Sequence, residues 1–249
     1  MEKTIEIREC TTLAELAECV DLQREVFALP EVELSPVRHF VVTRNAGGFT
    51  LGAYDGDRLA GYVLSVPAFL RGEKAFYSHM TGVRKEYQST GIGRRLKWAQ
   101  RERALELDVK VIKWTFEPVK ARNGYFNLEK LGAIVTEYER NFYGTDYAVS
   151  PESGKQIGLQ SDRLFAEWHL ESDKVRALAA NEPWSETRTP EAEVLTINDW
   201  SELVERDPAA GLELQLRVRS DFEAAIARGL HAAAFKRDDV EPKYLMYSR

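Results

Sequence analysis

Apolar residues recur along this chain with two different periods, and the switches between them outline its elements. In "TIEIREC", Ile5 and Ile7 alternate with polar neighbours, which predicts a strand. In "TTLAELAECVDLQREVF", Leu13, Leu16, Ala17 and Val20 fall on one helical stripe. Thr12 stands just before that stripe, with Glu15 three residues after Thr12, the spacing of a capping box. A less regular region runs through Pro30 and Pro36 to "NAGG". "FTLGAYDGDRLAGYVLSV" then reads as a hairpin turning at Asp55-Gly56-Asp57. "AFYSHMTGV" is an aromatic-rich strand, and Ile92 to Leu107 a helix with Leu96, Ala99, Ala104 and Leu107 on its apolar side. Val111, Trp114 and Phe116 mark a strand in "VKVIKWTFE". "NGYFNLEKLGA" reads as a short helix stopped by Gly132, and "IVTEYERNFYG" and "RLFAEWHL" as two more strands. This order predicts an α/β (α+β) fold: one mixed sheet covered by helices.

The pattern changes after residue 172. "ESDKVRALAANEPWSETRTPEAE" is polar, carries Pro183 and Pro190, and reads as a linker. "AEVLTI" is a strand candidate and "GLELQLRVRSDFEAAIARG" a strong helix. "GLHAAAFKRDDVEPKYL" then repeats the layout of "GFTLGAYDGDRLAGYVL": glycine, strand, charged turn, strand. The tail therefore reads as a C-terminal β-α-β-β half-repeat extension or a separate appendage. The expected domains are 1–172 and 190–249.

Composition narrows the function classes. The 249 residues are 44% hydrophobic, enough for a substantial core. The net charge of -6 argues against broad phosphate-backbone binding, so no nucleic-acid partner is expected. No apolar run approaches the ~20 residues of a membrane span. The opening "MEKTIEIREC" has no apolar signal region, so the expected location is cytoplasmic with no membrane partner. Cys10 and Cys19 form no CxxC pair, the four histidines are scattered, and no metal is expected.

One stretch carries more chemistry than the rest: "VRKEYQSTGIGRRL", Val83 to Leu96. Gly91 and Gly93 allow backbone to approach a ligand closely. The loop opens a helix, whose unpaired N–H groups and positive dipole end attract an anion. Arg94 and Arg95 add charge in the first turn, where cations oppose the dipole unless an anion is bound. The same residues also suit an ordinary tight turn before a helix. The loop is neither a Walker loop nor a complete GxGxxG fingerprint.

The setting of this loop resembles the GNAT acyltransferase family. A strand ending in "TGV", then Gln88-x-x-Gly91-x-Gly93, then a long helix, matches the family signature. Asn123, Leu131 and Gly132 in "ARNGYFNLEKLGA" match a second family segment. The resemblance covers about residues 4–150 and fits the order of elements. It implies a twisted, mostly antiparallel mixed sheet flanked by helices. It implies that the loop, Gln88, Ser89, Thr90, Gly91, Ile92, Gly93, Arg94 and Arg95, holds the pyrophosphate of acyl-coenzyme A. It implies that Thr81, Gly82 and Val83 line the pantetheine arm and polarise the thioester, with Asn123 and Phe126 among the cofactor contacts. Many members carry a tyrosine four residues before the glycine of the second segment, as acid to the leaving thiolate. Leu128 stands there instead, with Tyr125 and Phe126 out of register. "NFYG" and "GLQSDRLFAEWHL" resemble a bacterial subgroup of predicted GNAT acyltransferases, and some relatives transfer succinyl groups. Acetyl-CoA and succinyl-CoA are therefore both open as donor.

Acyl transfer to an amine needs a base for the amine, donors for the oxyanion and an acid for the thiolate. His79 precedes Val83 by four residues on the strand into the loop, and its titration range suits a base. A packed, inert histidine would look the same. Glu117 ends the following strand and is a second candidate base, or a solvated residue beside Lys120 and Arg122. Tyr143 is a candidate acid, or an aromatic residue steadying the turn at Gly144. Arg163 can grip the carboxylate of an amino-acid acceptor or a succinyl donor, or sit in an ion pair beside Asp162. Both cysteines lie in the first strand and helix, away from the loop, which disfavours a cysteine nucleophile. The expected activity is acyl-CoA-dependent N-acyl transfer to a small-molecule amine or an amino acid. The alternative is a non-catalytic acyl-CoA-binding or sensing module. The oligomeric state is open, a homodimer included.

Overall fold

The computed structural model describes residues 5–27, 29–147 and 158–248. Packing divides the chain into two units, one ending at Lys113 and one starting at Trp114.

In the first unit β1 (Ile5–Glu9), β2 (Phe49–Asp55), β3 (Arg58–Leu70) and β4 (Glu73–Val83) form an antiparallel meander in the order β1-β2-β3-β4. The first residues of β5 (Val111–Phe116) add a parallel partner to β4, at Phe76↔Ile112 and Tyr77↔Lys113. Helix α1 (Leu13–Phe27) starts at the capping box read from the sequence: the Thr12 hydroxyl accepts from Glu15 N–H at 3.2 Å, and Glu15 Oε2 accepts from Thr12 N–H at 2.9 Å. Helix α1 buries Leu16, Cys19, Val20 and Leu22 against Phe40, Tyr54, Leu59, Tyr62 and Leu64, while Leu13, the first residue of the expected stripe, is exposed. Phe40 belongs to α2 (Val37–Asn45), a helix inside the region that reads as irregular. Helix α3 (Ile92–Glu106) follows the glycine loop and buries Ile92, Leu96 and Ala104.

In the second unit β6 (Ile134–Glu139), β7 (Arg163–His169), β8 (Ala192–Leu195), β9 (His231–Lys236) and β10 (Lys243–Tyr247) run antiparallel in the order β7-β6-β9-β10-β8. Helix α4 (Ala121–Tyr125) runs on into a π-helical turn, Phe126–Lys130, that stops at Gly132. Gly132 has φ +77°, and a side chain there would meet Val175 and Leu178. Those two residues lie on α5 (Asp173–Ala179), so the polar segment after residue 172 is not all linker. Helices α6 (Trp200–Arg206) and α7 (Pro208–Ala227) follow β8. Trp114 and Trp168 meet edge to face, with Trp168 Nε1 donating to Leu131 O at 2.6 Å. The strands of both units are therefore mostly antiparallel and flanked by helices, the architecture expected. Among the described residues no helix is long and apolar enough to cross a membrane.

Candidate active site

The glycine loop is fixed from below and open above. Gln88 Nε2 donates to Val83 O at 3.0 Å, tying the loop to the end of β4. Thr90 Oγ1 donates to Tyr87 O at 2.6 Å, and Tyr87 OH donates to Asp55 at 2.7 Å. Ser89 and Gly91 both have positive φ, +64° and +89°. Gly91 occupies the N-cap position of α3, where no side chain caps the helix and no acidic residue stands in the first turn. Arg95 N–H reaches Gly91 O at 3.0 Å. The helix geometry leaves the amides of Ile92, Gly93 and Arg94 without intrahelical acceptors. A side chain at Gly91 would touch nothing within 4 Å, and one at Gly93 only Val83 at 3.8 Å. Packing therefore requires neither glycine to be bare, while close approach of a ligand to the backbone does. Arg94 Nε is buried and has no partner. Arg95 is held by Ile5 O at 2.7 Å. The result is three aligned amides and an arginine with an unmet donor, a set that fits a phosphate group.

Strand β4 leads into this loop, and it carries a bulge. Its register with β3 is Leu64↔Met80 and then Ser65↔Ser78, which leaves His79 as the extra residue. A bulge re-aims the side chain it carries. His79 Nε2 lies 3.1 Å from Ser35 Oγ, and its ring centroid is 5.5 Å from that of His39. Burial lowers the imidazole pKa from its usual value, and the charge of His39 lowers it further. Beyond the bulge Thr81, Gly82 and Val83 pair with Val63, Tyr62 and Gly61. Gly82 is required by packing, since a side chain there would come within 2.8 Å of Leu22.

Residues 13–133 match the acetyltransferase (GNAT) family. Residues 13–133 of this chain belong to that family. Solved GNAT-type structures share its fold. A protein from Acinetobacter baylyi described as an acetyltransferase is 17% identical, with a TM-score of 0.55 over 74% of this chain and 98% of its own. A GNAT-family protein from Desulfovibrio desulfuricans is 13% identical, with a TM-score of 0.53 over 67% and 99%. The ribosomal-protein-S18-alanine N-acetyltransferase of Escherichia coli is 13% identical, with a TM-score of 0.51 over 74% and 99%. No curated protein sequence matches this chain.

The remaining candidate groups lie in the second unit. Glu117 forms an ion pair with Lys120. Tyr143 OH lies 3.3 Å from Thr115 Oγ1, and its ring stacks on Tyr147. Arg163 is buried, donates to Asp162 O at 2.9 Å and lies 5.1 Å over the Tyr143 ring. The carboxylate of Asp162 is held instead by Arg219, through two hydrogen bonds of 2.8 Å. Arg163 and Tyr143 are thus brought together, and Asp162 is engaged elsewhere. Asn123 N–H bonds to Lys120 O at 2.9 Å, and Phe126 O accepts from Leu131 N–H at 3.1 Å, both in helical turns. Leu128, where many GNAT members have tyrosine, is completely buried. Tyr125 lies beside Lys130 and Arg237, which hold its phenol below the usual range, Lys130 foremost. Among the described residues no cluster of three or more His, Cys, Asp or Glu side chains could hold a metal ion. The sequence gives no hint of Ser35, Gln23 or His39 as neighbours of His79, because each lies on an element far from β4 along the chain.

Proposed function

We propose that this protein is an acyl-CoA-dependent N-acyltransferase. It moves an acetyl group, or a succinyl group, from coenzyme A to the amine of a small molecule or an amino acid by direct transfer. Residues 1–172 form the catalytic portion and 190–249 an extension. The observation that carries this reading is the uncapped, glycine-opened start of α3, joined by the loop after Val83 to a strand that bulges at a half-buried histidine.

The amides of Ile92, Gly93 and Arg94 and the Arg94 guanidinium take the pyrophosphate. Backbone N–H groups of Thr81 to Val83 polarise the thioester carbonyl. His79 removes a proton from the ammonium of the acceptor; the free amine attacks the carbonyl carbon, and the C–S bond breaks. The thiolate then takes a proton from an acid, for which Tyr143 is the candidate, and the second proton lost by the attacking nitrogen as it becomes the amide restores that acid. His79 is favoured over Glu117 as base because its burial supports a neutral ring, whereas Glu117 is engaged by Lys120. Arg163 is a candidate grip for a carboxylate on acceptor or donor.

Thiol release from acetyl-CoA and succinyl-CoA across a panel of primary amines and amino acids tests this. We expect release that depends on amine, and a loss of about 100-fold or more in kcat for His79→Gln with CoA binding retained. An unchanged rate in His79→Gln removes His79 as base. The buried leucine at position 128 favours one other reading, an acyl-CoA sensor without turnover. CoA binding with no thiol release on any amine selects it.

A further inference from the structure

His79 is held by a chain of contacts that reaches back to the middle of α1. Gln23 is fully buried on α1. Its amide grips the backbone of Ser35 from both sides: Ser35 N–H donates to Gln23 Oε1 at 2.9 Å, and Gln23 Nε2 donates to Ser35 O at 3.1 Å. A buried amide with both its donor and its acceptor engaged by one residue fixes that residue's position. Pro36 follows, and its ring restricts Ser35 to extended backbone. The hydroxyl of Ser35 is thereby placed 3.1 Å from His79 Nε2.

We propose that Gln23 and Ser35 are positioning residues for His79: they hold its Nε2 edge, and Nδ1 is the nitrogen that takes the proton of the amine. This rests on the reading of His79 as the base. A neutral imidazole has one N–H and one lone pair, and the partner of one nitrogen decides which is which. In the proposed arrangement Ser35 Oγ accepts from Nε2–H, which leaves the lone pair on Nδ1; the reverse direction, Ser35 Oγ–H donating to Nε2, would place the N–H on Nδ1. In the transfer the ammonium gives a proton to Nδ1; the products are the free amine and an imidazolium still bonded to Ser35 through Nε2–H. The bulge at His79 serves the same end, because an extra residue without a cross-strand partner is free to turn its ring toward Ser35. His39, 5.5 Å away, has a buried Nε2 without a partner, so it does not compete for the hydroxyl of Ser35.

The test is 15N NMR of histidine-labelled full-length protein, with His79→Gln to assign the signals. In the native protein His79 should show a pyridine-type Nδ1 and a pyrrole-type Nε2. Ser35→Ala should average the two nitrogens, and Ser35→Thr, which keeps the hydroxyl, should restore the native pattern. With any amine found to be a substrate, Ser35→Ala should lower kcat about tenfold, less than loss of the base itself, with KM for acetyl-CoA unchanged. Identical nitrogen signals in native and Ser35→Ala protein, or a protonated Nδ1 in the native neutral ring, would overturn the proposal. Full activity of His79→Gln would instead overturn the base assignment, while the nitrogen signals would still report whether Ser35 fixes the ring.

Discussion

Helices α3 and α7 begin in opposite ways. Helix α7 has Asp207 at its N-cap, whose carboxylate accepts from Ala210 N–H at 3.0 Å, and Pro208 at the first position. Those choices satisfy the free amides and preset the backbone. Helix α3 has a left-handed glycine at the cap, no capping side chain and two arginines in the first turn. Its start is poor as a structural joint and good as an anion site. The contrast extends to the strands around them. In both regions a strand and two helices precede a hairpin. Yet β1 pairs with the near strand of its hairpin, β2, whereas β8 pairs with the far strand, β10. The likeness between the two stretches of sequence is therefore a likeness of element order, and the pairing differs. The stretch 190–249 has no counterpart of "QSTGIG". One region keeps an unmet arginine donor at a helix start and a bulged histidine; the other opens its longest helix with a satisfied cap.

That difference is most directly broken at Arg219. This residue of α7 holds the fully buried carboxylate of Asp162, which also takes Tyr138 OH and Asn141 N–H. Arg219→Leu leaves a buried charge without its cation, which costs about 3–5 kcal/mol. Denaturant unfolding of the full chain should show a loss of that size, and Asp162→Asn combined with Arg219→Leu should recover part of it. CoA affinity measured on folded protein should stay unchanged. A loss under about 1 kcal/mol would mean that α7 is held by apolar packing alone.

Much of this contrast was legible in the sequence where local spacing carries it. The capping box of α1, the hairpin at Asp55–Gly56, the helix from Ile92 and its glycine loop all follow from spacing within a few residues. Helix α2 was not legible, because Pro36 and the β-branched "VRHFVVTRN" mask a helical face that shows only when Phe40 is seen in the core. Helix α5 hides in a polar segment and buries Val175. The bulge at His79 depends on the register between β3 and β4, which no single strand encodes. The Asp162–Arg219 pair joins residues 57 apart in the chain, and the Gln23–Ser35–His79 chain joins a helix, a loop and a strand. Residues could be nominated from type and spacing, but their partners are set by tertiary packing.

A paired substitution sharpens the comparison of the helix starts. Gly93 lies inside the first turn of α3 without positive φ, and a side chain there meets only Val83 at an ordinary 3.8 Å. Gly93→Ala should therefore stabilise the helix by about 0.5–1 kcal/mol. It should nevertheless weaken CoA binding about tenfold, since its methyl group intrudes on the backbone that meets the phosphate. Asp207→Ala should do the reverse: destabilise by about 1 kcal/mol and leave CoA binding untouched. Calorimetric titration with CoA and thermal unfolding of both variants read the two effects. Undiminished CoA affinity in Gly93→Ala would remove the loop from the binding site.

The smallest expected effect concerns pH and belongs to the open region alone. The pKa of His79 lies below the usual 6.5, first because burial disfavours the charged ring and second because His39 repels it. A base must be neutral to act, so a lowered pKa keeps His79 competent to lower pH. The acid limb of kcat/KM should accordingly fall below the ordinary histidine range. His39→Gln removes the repulsion and leaves the burial in place. The pKa of His79 should rise, and the acid limb should move up in pH while the plateau rate stays the same. The folded state follows the same sign. Its depressed histidine pKa means that the unfolded chain binds the proton first, so native stability is complete above pH 6.5 and declines as pH falls through it. In His39→Gln the contribution of His79 to that decline should shrink. An acid limb that does not move in His39→Gln, with His79 still required for activity, would show that burial alone sets the working range of the base.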